Sequence, residues 1–257
     1  MLSKREFLQA LGAAALLSAP GFRAAAARPR ITQDSLLGFE GLGNVTLLHV
    51  TDIHAQLVPV YFREPSVNLG VGEMEGKLPH VTGAAFLKRF GISPRTLDAY
   101  MLTPEDFTAL AREYGSIGGM DRMATLVKAI RAERPGKTLL LDGGDTWQGS
   151  YTSLQTQGMD MVRVMNALKP DAMTAHWEFT YGTDRVNELI EATGFDFLAA
   201  NVRDTEWEEP VFKGMSLFER GGVQVAVIGQ AFPYTPVANP RYKIPDWSFG
   251  IREQDLV

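Results

Sequence analysis

His49-Val50-Thr51-Asp52-Ile53-His54 follows directly on the apolar run Val45-Thr46-Leu47-Leu48. The β-branched and aliphatic residues predict a buried strand that carries an Asp-x-His pair at its C-terminal end. That end is where an open α/β sheet keeps its chemistry. Residues two apart on a strand share a face, so Asp52 and His54 point the same way. Two further segments have the same form. Leu139-Leu140-Leu141 leads into Asp142-Gly143-Gly144-Asp145, and Ala172-Met173-Thr174 leads into Ala175-His176-Trp177-Glu178. Three strand ends that bring Asp52, His54, Asp145 and His176 together present two carboxylates and two imidazoles to a metal centre. An isolated Asp-x-His is more often a hydrogen-bonded polar pair, so the metal reading rests on all three ends.

The intervening segments predict the elements of an α/β layered domain. Gly118-Gly119 opens a helix in which Met123, Leu126, Val127 and Ile130 recur at helical spacing, and Pro135-Gly136 ends it. Helices are expected over 159–168 and 183–192, and strands over 195–200 and 223–229. In Asp142-Gly143-Gly144-Asp145 the glycines let the backbone turn sharply, so that a carboxylate points back over the sheet.

The stretch 55–116 breaks this alternation with nine prolines and glycines from Pro59 to Pro94, and reads as an irregular insertion. Short helices are expected around 83–90 and 103–114, the second opened by Thr103-Pro104-Glu105. Its aromatic residues, among them Tyr61, Phe86, Tyr100 and Tyr114, argue for an ordered lid or wall beside the site.

Composition sets the outer limits. The 257 residues are 45% hydrophobic and 21% charged, enough for a full core. A net charge of −5 leaves no basic footprint for nucleic acid. The absence of cysteine removes disulfides, thiol nucleophiles and thiolate metal sites together. The charged head Ser3-Lys4-Arg5-Glu6, a short Ala/Leu run and the tract Ala24-Ala25-Ala26-Ala27 have the layout of an export signal over 1–27. The run is too short for stable membrane insertion. The pattern resembles a twin-arginine signal with Lys4-Arg5 in place of the usual arginine pair, and implies a periplasmic location.

Asp52-x-His54, then Gly144-Asp145, then Glu178-Phe179-x-Tyr181-Gly182 resemble, in order, the first three motifs of calcineurin-like metallophosphoesterases of the 5′-nucleotidase type. Where that family usually reads Gly-Asn-His-Glu, this chain has Ala175-His176-Trp177-Glu178. His49 through Leu57, Tyr61-Phe62-Arg63-Glu64-Pro65, Asp142 through Ser150 and His176 through Gly182 resemble the SoxB-type thiosulfohydrolase branch. The resemblance implies an α/β fold, the layered α/β/β/α metallophosphoesterase-like sandwich, within 44–257. It also implies a metal-dependent hydrolase with two divalent ions, Mn2+ in this branch, and release of sulfate from a cysteine S-thiosulfonate on a SoxYZ-type carrier protein. Carried over residue by residue, Asp52 and His54 bind the first metal, Asp145 bridges, and His176 replaces the usual Asn on the second. Trp177 takes the place of the catalytic histidine. No histidine follows His176, and family members continue into a second domain, so the chain reads as the N-terminal part of a longer protein, truncated at its C-terminus.

Other residues keep two readings. Glu178 orients an imidazole or caps a helix. Trp147 and Gln148 line the pocket, or the tryptophan belongs to the core. Arg63 and Arg122 meet an anionic substrate or form ordinary salt bridges. His49 reads as structural and His80 as exposed. Two rival functions remain open, a 5′-nucleotidase-like phosphohydrolase and a non-enzymatic metal-binding or interaction fragment.

Overall fold

The computed structural model describes residues 37, 41–61 and 70–251, so the signal segment 1–27 and Arg63 lie outside the described residues. One compact unit takes in Leu57–Thr125, and another takes in Gly41–Gln56 and Leu126–Val257. The first of these units takes in most of the insertion expected over 55–116 and runs on to Thr125.

The second unit is built on a parallel sheet of β1 (Thr46–Val50), β2 (Thr138–Asp142), β3 (Ala172–Met173) and β4 (Asp196–Phe197), in that spatial order. Leu139 and Leu140 on β2 are fully buried, as a central parallel strand requires. β1 differs from the expectation of a buried strand. Among the described residues it is the sheet edge, and its exposure alternates, with Leu47 60% exposed. An apolar run does not reveal whether a strand has one neighbour or two.

Formal strands are short, but the ladder continues beyond them. Gly143 N–H donates to Val50 O at 2.8 Å, Asp52 N–H to Gly144 O at 2.9 Å and His54 N–H to Asp145 O at 2.9 Å. Thr174 N–H donates to Asp142 O at 3.0 Å and Leu198 N–H to Met173 O at 2.8 Å. The strand expected over 195–200 is reduced to β4 because Ala199 and Ala200 turn their N–H groups to Lys213 O and Gly229 O.

β5 (Val202–Asp204) pairs antiparallel with β8 (Trp247–Phe249), and β6 (Met215–Arg220) with β7 (Val223–Ile228). Gly221 and Gly222, at φ 57° and 78°, make the tight β6–β7 connection, for which positive φ at both positions matches the strand twist. Arg220 anchors this hairpin, donating from Nε to Thr138 O at 3.0 Å and pairing with Asp171. The architecture is mixed α/β with a parallel sheet. Among the described residues the further strands form two separate pairs rather than a second continuous sheet.

The insertion unit contains α1 (Gly83–Phe90), α2 (Leu97–Leu102) and α3 (Phe107–Tyr114). Tyr100, Leu110, Ala111 and Tyr114 form its core. Tyr100 stacks between Phe107 and Tyr114, with ring centroids 5.9 Å away in each case, and donates its hydroxyl to Gly115 O at 2.7 Å. The helix expected to open at Thr103 begins at Phe107. Thr103 instead closes α2, its hydroxyl donating to Ala99 O at 2.9 Å, and Asp106 takes φ 51° ahead of α3.

α4 (Met120–Glu133) precedes β2, and α5 (Tyr151–Thr156) and α6 (Met159–Leu168) connect β2 to β3. α6 buries Met161, Val162, Met165 and Leu168 along one stripe. α7 (Thr183–Glu191) does the same with Val186 and Leu189 before β4. Each such aliphatic side chain contributes about 1.5–3 kcal/mol by leaving water.

The two glycines of Asp142-Gly143-Gly144-Asp145 do different work. A Cβ on Gly143 would lie 2.9 Å from His49 Nε2 and from Thr51 Oγ1. Gly144, at φ 90°, would bring a Cβ to 2.7 Å from His176 N and 2.9 Å from Ala175 C. Sharp turning is required only at Gly144, and close approach of neighbouring loops at both. Gly144→Ala is therefore expected to lower stability by at least about 2 kcal/mol. Gly136→Ala, at φ 71° with nothing within 4 Å of the added methyl, should cost about 1 kcal/mol. Urea denaturation of both variants checks this, and equal losses would contradict the packing argument.

Candidate metal centre

The three strand ends carry the expected side chains to one place. Asp52, His54 and Asp145 hold φ of 54°, 52° and 57°, left-handed conformations that non-glycine residues seldom adopt. Such strain persists where surrounding bonds over-determine it. Here the bonds are those of the extended ladder, Asp52 N–H to Gly144 O and His54 N–H to Asp145 O. Asp52 and His54 meet through this turn and not through the shared strand face that their spacing suggested.

Asp145 is the buried centre of the group, with its side chain 3% exposed against 49% for His54 and 31% for His176. Its Oδ2 lies 2.9 Å from His176 Nδ1 and 3.4 Å from His54 Nε2. Its Oδ1 accepts from Gln148 Nε2 at 2.7 Å. One oxygen is thus occupied by the amide while the other faces both imidazoles. Asp52 Oδ1 lies 3.7 Å from His54 Nε2, and its Oδ2 accepts from the Thr51 hydroxyl at 2.6 Å. One ligand atom each from Asp52, Asp145 and His176 lie within 4.8 Å of one another, and His54 borders this set. Among the described residues no lysine or arginine pairs with either carboxylate. Converging carboxylates with imidazoles and no competing cation suit a hard divalent ion.

Behind the ligands lie two buried acids. Glu178 is fully buried. Its Oε1 accepts from Thr146 N–H at 2.7 Å and Trp147 N–H at 3.3 Å, and its Oε2 from His176 N–H at 2.7 Å. The expected contact to an imidazole is replaced by contact to backbone. Burial pushes its carboxyl up, and the N–H donors oppose that. Asp142 accepts from Gly144 N–H at 3.0 Å and from the Thr146 hydroxyl at 2.9 Å to each oxygen. Burial, with the neighbouring Glu178 charge adding to it, raises the Asp142 carboxyl from 3.8 to about 7.

Trp147 is fully buried and stacks on Phe197, centroids 6.2 Å apart, so it is core and presents no surface to a substrate. Trp177 is half-buried, its ring edge-on to His176 at 6.2 Å. Arg122 donates to Ser116 O at 2.8 Å inside the insertion unit. His80 is half-buried rather than exposed, and His49 lies on the exposed face of β1.

Phe232 carried no signal in the sequence beyond its place just after β7. Its ring packs on the His176 imidazole with centroids 4.5 Å apart, and its N–H donates to Ala175 O at 2.9 Å. Asn201 fixes the neighbouring residue, accepting from Ala231 N–H at 2.7 Å and donating to Ala231 O at 2.8 Å.

The chain that carries this sheet and strand-end site is similar to a SoxB and to several 5′-nucleotidases. The sulfate thiohydrolase SoxB of Thermus thermophilus is 37% identical with a TM-score of 0.75, over 85% of this chain and 41% of that one. The 5′-nucleotidase of Rattus norvegicus is 32% identical over 145 residues, which is 54% of this chain and 25% of the relative. A 5′-nucleotidase precursor, also from Thermus thermophilus, shares the fold at 22% identity and a TM-score of 0.54, over 80% of this chain and 32% of that one. The chain therefore spans about two fifths of that SoxB and a quarter of the rat 5′-nucleotidase. No protein-family model matches it. Among the described residues no helix is long and apolar enough to cross a membrane.

In metal-free protein the native state holds a proton on Asp142 that the unfolded chain releases above its ordinary value of 3.8. The stability this contributes is full below about pH 4 and is lost as pH rises to about 7, on the order of 4 kcal/mol in all. Asp142→Asn should flatten that part of the profile. Denaturant midpoints of metal-stripped wild type and variant across this range check it, and parallel profiles would contradict it.

Proposed function

We propose that this chain is the metal-binding part of a SoxB-type thiosulfohydrolase that releases sulfate from a cysteine S-thiosulfonate on a SoxYZ-type carrier protein. In that reaction a water oxygen bonds to the terminal sulfur and the sulfur–sulfur bond breaks. The electron pair leaves with the carrier's sulfur as a persulfide, and protons pass to solvent. Two divalent cations, Mn2+ by the same reading, would be held by Asp52, His54, Asp145 and His176. When bound, such a pair polarises an oxyanion and activates water near neutral pH. Asp145 is suited to sharing because Gln148 occupies Oδ1 and Oδ2 faces both imidazoles. Trp177 stands where phosphoesterases carry a catalytic histidine and exchanges no proton near neutral pH. Asp52 and His54 are about half exposed, which supports access of a substrate to ions held there.

The observation that carries this reading is the His176-Trp177-Glu178-Phe179-Thr180-Tyr181-Gly182 sequence, in a chain 37% identical to a SoxB; Ala175 ahead of it departs from the glycine usual in that motif. A 5′-nucleotidase-like activity is the second reading, favoured by curated relatives of that name at about a third identity. The export-signal pattern supports a periplasmic location. Intact mass of exported protein should lack roughly the first 25–30 residues.

Full-length protein loaded with Mn2+ should release sulfate from carrier-linked S-thiosulfonate and negligible phosphate from nucleoside monophosphates. The opposite preference would favour the nucleotidase. Asp145→Ala should lose both ions and Asp52→Ala chiefly one, as read by elemental analysis; full occupancy in the Asp145 variant would rule out the shared ligand. His176→Asn should keep part of the metal binding that His176→Ala loses.

A further inference from the structure

We propose that Glu178 presets the metal centre: its buried carboxylate is a positioning residue that ties the loop carrying Asp145 to the loop carrying His176 before any cation binds. The inference rests on the metal-site reading given above.

Glu178 has no solvent exposure, and both of its oxygens are taken. Oε1 reaches the N–H groups of Thr146 and Trp147, which directly follow Asp145. Oε2 reaches the N–H of His176 itself. The donors belong to strand-end loops about thirty residues apart in sequence, so the contact is a cross-tie and not a local helix cap. A proton-donor role does not suit a group with both oxygens facing backbone donors and no path to solvent.

The tie extends further through the residues it holds. Thr146 gives its N–H to Glu178 and its hydroxyl to Asp142, which also holds Gly144 N–H. Asp145 O in turn accepts the N–H of His54, and Gly144 O accepts that of Asp52. One carboxylate thereby indexes the loops bearing all four candidate ligands. A carboxylate is required because it only accepts. In Glu178→Gln one oxygen becomes an NH2 facing a backbone N–H. In Glu178→Asp the charge is kept, but the side chain is one methylene too short to span both loops.

Two measurements on full-length protein test this. Hydrogen exchange read by mass spectrometry in metal-free wild type should show protected amides over residues 143–150 and 175–180, little changed by added Mn2+. Rapid exchange without metal and protection only with it would overturn the proposal. Separately, Glu178→Gln and Glu178→Asp should weaken Mn2+ binding by about tenfold or more in calorimetric titration well below their unfolding midpoints. A lowered midpoint with unchanged Mn2+ affinity would mean a purely structural role and would also overturn it. If neither variant folds, the wild-type exchange pattern decides. Failure of wild type to bind Mn2+ would sink the metal reading, and exchange would still decide the tie.

Discussion

The site depends on backbone hydrogen bonds that continue past the ends of the parallel strands. Asp52, His54 and Asp145 sit in left-handed conformations that cost free energy at each position. They hold them because Asp52 N–H meets Gly144 O and His54 N–H meets Asp145 O. These bonds need the first and second strand ends in close contact, where Gly143 leaves room for His49 and Thr51, while Gly144 lies against the backbone of Ala175 and His176 at the third strand end. The same close approach brings a buried Asp145 oxygen between two imidazoles.

The buried acids follow from this geometry. Turns at strand ends leave N–H groups with no ladder partner, and a buried donor without a partner is costly. Asp142 and Glu178 satisfy those donors from the buried side of the loops, while the Asp52 and His54 side chains are about half exposed. Holding two carboxyls out of water has its own cost, visible in the raised Asp142 value of about 7. A metal-binding face and an acid-lined back wall are thus two sides of one set of loops.

Much of this was legible in the sequence because the signal is local. Apolar runs that end in Asp-x-His, Asp-Gly-Gly-Asp and His-Trp-Glu identify strands and the polar groups they deliver, and α6 falls on its expected residues. What escaped depends on contacts between distant segments. The burial of Trp147 is set by Phe197 on β4, and nothing near the tryptophan distinguishes a core ring from one lining a site. The place of Phe232 on His176 depends on Asn201 holding Ala231. The edge position of β1 is a matter of pairing order, which composition does not encode. Thr103-Pro104-Glu105 has the residues of a helix start, but a back-bonded threonine and a left-handed Asp106 moved that start onward.

On the proposed reading, Asp145 would offer one oxygen to two cations, and Asp52, His54 and His176 would supply their other protein ligands. Anomalous diffraction at the manganese edge, from crystals of the full-length protein grown with Mn2+, addresses it directly. Two anomalous peaks are predicted, both within coordination distance of Asp145 and one also coordinated by His176. A single peak, or peaks that leave Asp145 or His176 uncoordinated, would contradict a shared Asp145 ligand.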